Sequence, residues 1–304
     1  MSAQNNCNAI KKISIICQNK YFNINVKLHD GTDLKHCFFT SSERVKFYEN
    51  GVRVHQVNNP GQNVEKAITF FLFDLFSRRN LKIDRLEIDT SKLTTTVRKS
   101  GHVLEPHWMS MFKKIRRAMR HLPAPVNVWR FDVNGHPLLE GIEVDAFWNV
   151  LVPGQLEVFT HKGRSTASYR GSLDGLTTTD QWKEAKYISS EFYRGVKVDD
   201  VCNLKNVIVR IENFSVRDFQ SFINKSTASD IFTSGHIMVT SSGAVTGNWK
   251  RFLQMDIIRE MKLNSSAHMN GTDCYYYRMQ SVPGSIVVQC IEEPNHLSIR
   301  FLKQ

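Results

Sequence analysis

Proline and glycine are scarce in this 304-residue chain, at 8 and 16 residues. That scarcity excludes collagen-like and low-complexity organisation. No apolar run approaches the ~20 residues needed to cross a bilayer, so no membrane span is expected. The opening residues 1–12 lack a basic stretch leading into an apolar one, which argues against a secretory signal. A cytoplasmic or nuclear location is therefore expected. The six cysteines, Cys7, Cys17, Cys37, Cys202, Cys274 and Cys290, are scattered and form no C-x-x-C pair. A structural zinc site needs ligands paired at short spacing, so no metal is expected and the cysteines read as free, mostly buried thiols.

Several kinds of chemistry are also missing. No glycine-rich loop of the G-x-x-x-x-G-K-S/T or G-x-G-x-x-G type is present to cradle phosphate, and no H-E-x-x-H pair to hold a metal. No G-x-S-x-G elbow is present to expose a nucleophile. His102 and His107 lie five apart across a proline, a poor spacing for shared ligation on one helix face. The small polar stretch 241–247 lacks the lysine of a phosphate loop and reads as a surface loop. No cofactor and no catalytic residues are expected, and the chain does not read as an enzyme.

What is present is a globular, basic composition. Apolar residues make up 41%, and 40 Lys and Arg against 29 Asp and Glu give a net charge of +11. The first strands show period-two alternation, as in Ile13, Ile15, Cys17 and Phe22, Ile24, Val26. With a turn signal at Asp30-Gly31, residues 11–57 predict an antiparallel meander. A helix follows with Val64, Ile68, Leu72, Leu75 and Phe76 at helical spacing, capped by Asn63. Phe70, Phe71 and Phe73 widen that stripe, so burial on most sides is expected. Ile83, Leu86 and Ile88 predict a short strand. A second helix from about Pro106 carries Trp108, Met111, Phe112, Ile115 and Met119 on one face. The cycle continues with a strand at Val128 to Val133, a helical stretch through Phe147 and a strand at Leu156 to Phe159. It goes on with a helical turn at Asp180 to Ala185, then strands at Leu204 to Ile211 and His236 to Thr240 flanking a helix opened by Ser215 and Asp218. A helix plus strand is expected over 248–263. Three strands near Tyr275, Ile286 and Leu297 close the chain.

The predicted class is α/β: an irregular, leucine-rich-repeat-like stack of alternating strands and helices. An antiparallel β region stands at its N-terminus and a β-rich cap at its C-terminus, hiding the last sheet edge. The expected divisions are a meander and helix region over 1–104, an α/β domain over 105–245 and a helix and β-rich cap over 246–304.

Within this pattern, residues from about Met111 to Thr240 resemble the FTH domain of nematode F-box-associated proteins. A basic helix through Phe112-Lys113-Lys114-Ile115 ends in a proline-containing turn. Val150-Leu151-Val152-Pro153-Gly154-Gln155-Leu156-Glu157 follows. Asp180-Gln181-Trp182-Lys183-Glu184-Ala185-Lys186 is the most specific match, and Leu204-Lys205-Asn206-Val207 and the helix from Ser215 to Phe222 complete it. Residues 11–105 look like the region joining an F-box to that domain. The resemblance implies the substrate-recognition half of a ubiquitin-ligase receptor. An F-box docks onto the Skp adaptor of a cullin–RING ligase. No Leu-Pro start or run of amphipathic helices precedes Ile13, so Skp and cullin are expected partners only where an F-box is supplied.

The expected function is protein–protein interaction with an unidentified target. Aromatic and arginine anchors in a desolvated centre carry such binding. The contact residues read from the sequence are Trp129, Arg130, Phe159, Tyr187, Phe192, Tyr193 and Arg194. In the motif Asp180, Gln181, Trp182 and Ala185, Trp182 reads as a structural plug. Lys113, Lys114, Arg116, Arg117 and Arg120 form a basic helix face, read first as a solvated surface. The alternative is a scaffold that uses this face to bind nucleic acid or another polyanion.

Overall fold

The computed structural model describes residues 9–18, 21–41, 44–49, 52–57, 64–93, 96–98, 101–103, 106–136, 139, 141–163, 175–190, 196–212, 214–240, 261–269, 272–279, 286–293 and 296–303. The chain divides into two compact units, Met1–Gly171 and Ser172–Gln304. That division falls inside the stretch 105–245 read from the sequence as one domain.

In the first unit, alternating apolar residues build the expected meander. It comprises β1 (Ala9–Gln18), β2 (Tyr21–Leu28), β3 (Asp33–Ser41), β4 (Arg44–Glu49) and β5 (Val52–Val57), each antiparallel to the next. Ile13, Ile15 and Cys17 lie opposite Val26, Ile24 and Phe22, and all six side chains are buried. Gly31 turns the chain between β2 and β3 at a φ of 92°, where a Cβ would be strained, and the Thr32 N–H donates to Asp30 Oδ1 at 2.8 Å.

The other edge of β1 continues in parallel. The strands are β6 (Lys82–Lys92), β9 (Asn127–Gly135) and β10 (Val158–Gly163), in the order β10-β9-β6-β1-β2-β3-β4-β5. A short hairpin, β7 (Thr96–Arg98) and β8 (Gly101–Val103), stands apart from it. The helices α1 (Val64–Phe76), α2 (Pro106–Met119) and α3 (Ile142–Trp148) pack α1 on α2 and α2 on α3. On α2, the predicted stripe of Trp108, Met111, Phe112, Ile115 and Met119 is buried throughout. The expectation for α1 fails at Phe70, which is 72% exposed. Two residues from both Ile68 and Leu72, it lies about 200° around the helix from the buried stripe. Asn63, the expected cap, lies outside the described residues.

The second unit repeats the parallel scheme. A one-turn helix α4 (Asp180–Glu184) leads to β11 (Tyr187–Ser190), and a 3₁₀ turn (Val198–Asp200) to β12 (Asn206–Glu212). The helix α5 (Val216–Ala228) then leads to β13 (Ser234–Thr240), and β11, β12 and β13 are parallel neighbours. Residues 248–260 of the expected helix plus strand lie outside the described residues; β14 (Met261–Met269) opens an antiparallel run with β15 (Thr272–Met279), β16 (Ile286–Glu293) and β17 (His296–Lys303). The strand order is β11-β12-β13-β17-β16-β15-β14, so β17 covers the free edge of β13, as a cap would. The chain is thus mixed α/β. Among the described residues, no helix is long and apolar enough to cross a membrane.

The predicted capping box opens α5. The Asp218 N–H donates to Ser215 Oγ at 3.1 Å, and the Ser215 N–H donates to Asp218 Oδ2 at 2.9 Å. Both bonds satisfy N–H groups that the first helical turn leaves open. Ser215→Ala is expected to destabilise the second unit by about 1 kcal/mol, seen as a lower urea midpoint with an unchanged slope.

Candidate functional site: the strand faces

Alternation along parallel strands gives each sheet two faces. In the second unit, Phe301 packs against Phe219 and Phe222 of α5, with ring centroids 5.8 and 4.6 Å away. A Cβ on Gly235 would meet Phe222, Phe232 and Val207 at 3.2–3.3 Å, so glycine permits the close approach of α5 there. Gly235, Ile237 and Phe301 therefore face the helix. Their alternates, Ser234, His236, Arg300 and Leu302, face the other way.

On that other face lies a cavity of about 520 Å³. Tyr187, Asn206, Ile208, Ser234, His236, Gln289, Arg300 and Leu302 line it, along with Val207, Gly235 and Phe301. Registry explains the assembly. Tyr187, Asn206, Ser234 and Leu302 form one row across β11, β12, β13 and β17. Ile208, His236, Arg300 and Gln289 form the next row, across β12, β13, β17 and β16. Ser234 Oγ donates to Asn206 Oδ1 at 2.8 Å, and His236 Nε2 lies 2.5 Å from Ser298 Oγ. Leu302 is 51% exposed. Among the described residues, no carboxylate lines the cavity.

The corresponding face of the first unit has a different electrostatic character. Lys12, Arg85 and Arg130 form one row across β1, β6 and β9, and Ser14, Glu87 and Asp132 the next. Lys12 Nζ is 2.6 Å from Glu87, Arg85 Nε is 2.6 Å from Asp132, and Arg130 Nε is 2.7 Å from the same Asp132 oxygen. Burial alone would raise the Glu87 carboxyl pKa, but the charges and hydrogen bonds of Lys12, Arg85 and Ser14 hold it below its ordinary range. Each of these three cations is paired with an acid of the same face.

The sequence-read contact residues separate accordingly. Tyr187 lines the second-unit cavity. Arg130 belongs to the ion network, and Trp129 is 49% exposed beside it, where the pairing of β6 with β9 skips a residue. Phe159 is fully buried against Phe131 and Trp148, with centroids at 5.7 and 4.8 Å, so its ring is core and offers no contact surface. Phe192, Tyr193 and Arg194 lie outside the described residues. In the family-like motif, Trp182 and Ala185 are buried, Asp180 is exposed and Gln181 half-buried. The Trp182 indole N–H donates to the Asp200 carbonyl at 2.7 Å. On α2, Lys114 pairs with Glu65 of α1, and Arg116 lies 3.4 Å from Asp145 of α3. Lys113, Arg117 and Arg120 are exposed.

Sequence reading missed Asn206, Ile208, Ser234, His236, Gln289, Arg300 and Leu302. The period-two signal in β12, β13, β16 and β17 marks them as one side of their strands. It does not say that β17 lies beside β13, which is what brings Arg300 to His236.

The first unit also buries three reactive groups. Glu143 on α3, His161 on β10 and Cys17 on β1 are each fully buried. A Cβ on Gly135 would fall 2.6 Å from His161 Nε2 and 2.7 Å from Glu143 Oε1. Burial pushes the Glu143 carboxyl up to about 8, with Asp145 adding to the rise, and pushes His161 down to about 3. Neither Glu143 oxygen has a hydrogen-bond partner of good geometry among the described residues. The N–H groups of Glu143 itself and of His136 are near enough to oppose the rise in part. Burial, then Glu143 and Asp89, raise the Cys17 thiol well above its ordinary value. A thiol held protonated is a poor nucleophile. Among the described residues, no group of His, Cys, Asp and Glu has the arrangement of a metal site.

Comparison with known families gives one match: the FTH domain model covers residues 143–256. No curated protein and no solved structure matches the chain.

Proposed function

Given the FTH domain at residues 143–256, we propose that this chain is a non-enzymatic protein-interaction module that binds its target on the second unit's strand face. The single observation carrying this reading is the cavity between Tyr187 and Leu302. Its volume of about 520 Å³ suits a few partner side chains. Its mixture of a tyrosine, aliphatic groups and an arginine is the composition that anchors protein interfaces.

Two further features support it. Parallel strands advance one place at a time in each unit, β1-β6-β9-β10 and β11-β12-β13, as in leucine-rich-repeat-like stacks that bind through their strand faces. The reactive groups Cys17, Glu143 and His161 are sealed from solvent and so out of reach of a substrate, and the Cys17 thiol is held protonated. The polyanion alternative is weaker, because Lys114 and Arg116 are engaged by Glu65 and Asp145. A role in a ubiquitin ligase, with Skp and cullin as partners, is part of the same proposal where an F-box is supplied.

The test uses the tagged full chain and an Ile208→Asp, Leu302→Asp variant whose circular dichroism matches the parent. Proteins captured by the parent and lost by the variant would support the reading. Identical captures, or a capture dominated by nucleic acid and abolished by Lys113→Gln, Arg117→Gln and Arg120→Gln together, would overturn it.

A further inference from the structure

The cavity on the second unit carries an asymmetry that narrows the target. Among the described residues that line it there is one arginine, one histidine and no acid. His236 is bonded to Ser298, whereas Arg300 has no ion pair or hydrogen bond among the described residues. An arginine presents a planar fork of donors matched to carboxylate geometry. His236 and Gln289 flank it in the sheet, the half-exposed Leu302 is two residues along β17, Ile208 lies beyond His236, and Tyr187 is in the adjoining row. We propose that this cavity takes an acidic peptide segment of a partner protein. One apolar side chain of the segment packs on Leu302 and another on Ile208 and Tyr187, and an Asp or Glu close to the first in sequence pairs with the Arg300 guanidinium. The proposal rests on the interaction reading above and names the chemistry of its target.

Two related ligands fit less well. A C-terminal carboxylate is usually captured by a nest of free backbone N–H groups. Here the strands beneath the cavity are paired on both sides, β12 with β11 and β13, and β17 with β13 and β16, so their N–H groups are spent in the sheet. Nucleic acid needs several cations tracking successive phosphates. One arginine between His236 and Gln289, with no second Lys or Arg among the described lining residues, does not form such a track.

The test pans a phage-displayed library of random peptides against the immobilised full chain. An enriched peptide is then synthesised with a fluorescent label and titrated by polarisation against the parent, Arg300→Gln and Leu302→Asp chains. The expected enrichment places Asp or Glu close to Leu, Ile or Phe. Arg300→Gln should weaken binding about tenfold. Replacing the peptide's acid by its amide should weaken binding to the parent to a similar degree and leave binding to Arg300→Gln unchanged. Peptides that enrich without acidic preference, and are lost on Leu302→Asp, would overturn the acidic target and leave the interaction face standing. A labelled RNA oligonucleotide that binds in an Arg300-dependent way, with no peptide enriched, would overturn both, as would peptides that bind Leu302→Asp as tightly as the parent.

Discussion

Replacing Glu143 by glutamine should change how stability depends on pH by about 5 kcal/mol across the neutral range. The buried carboxyl has its pKa raised from 4.5 to about 8. Above pH 4.5 the unfolded chain gives up this proton while the folded chain keeps it, so stability falls as pH rises. The fall ends near pH 8, where the folded group also ionises. Each pH unit in that window is worth about 1.4 kcal/mol. The difference in unfolding free energy between parent and Glu143→Gln, measured in urea at several pH values, should therefore drift steadily in the variant's favour between pH 4.5 and 8. Outside that window it should be flat. His161 supplies the opposite limb: its pKa falls from 6.5 to about 3 on burial. Its contribution to stability is present above pH 6.5 and is lost as pH falls toward 3. The two slopes cancel between about pH 4.5 and 6.5, and Glu143→Gln should leave only the acid limb. A parent-minus-variant difference that stays constant over this range would mean that Glu143 is ionised in the folded chain.

The second large effect belongs to Trp182. The ring is fully buried, and its N–H donates to the Asp200 carbonyl at 2.7 Å, tying α4 to the 3₁₀ turn before β12. Trp182→Ala should destabilise the second unit by about 3–5 kcal/mol, since it opens a large cavity and strips a carbonyl of its donor. That is a substantial share of the 5–15 kcal/mol that holds a typical domain together. Trp182→Phe separates the contributions. It retains most of the packing, so a residual loss of about 1–2 kcal/mol reports the hydrogen bond. The urea transition of the second unit gives both numbers. An alanine variant with an unshifted midpoint would show that the ring does not plug the layer.

Local pattern revealed some elements and long-range pairing decided the rest. The stripe of α2 and the capping box of α5 were legible because both signals lie within a few residues. Trp182 was legible as a plug from its place in a short motif. Phe159 and Tyr187 could not be told apart in the sequence, since both are aromatics in short strands. Phe159 falls on the helix-facing side beside Phe131 and Trp148, and Tyr187 falls in the row that faces the cavity. Arg300 drew no notice because its significance comes from a neighbour 64 positions away, His236. The burial of Glu143 was hidden for a related reason. Gly135, which leaves room for its carboxylate, belongs to a different element.

The place of β17 has a consequence for biosynthesis. This strand sits in the middle of the second unit's order, between β13 and β16. Every backbone bond that joins β14, β15 and β16 to the parallel strands passes through it. A nascent polypeptide that has not yet emerged as far as Lys303 lacks this keystone, so the second unit cannot complete its sheet before β17 is made. Messages with premature stop codons just before His296 should yield products whose unpaired edge at β13 invites proteolysis or self-association. Loss of the 8 residues of β17 alone would thus be far more damaging than the small mass removed suggests.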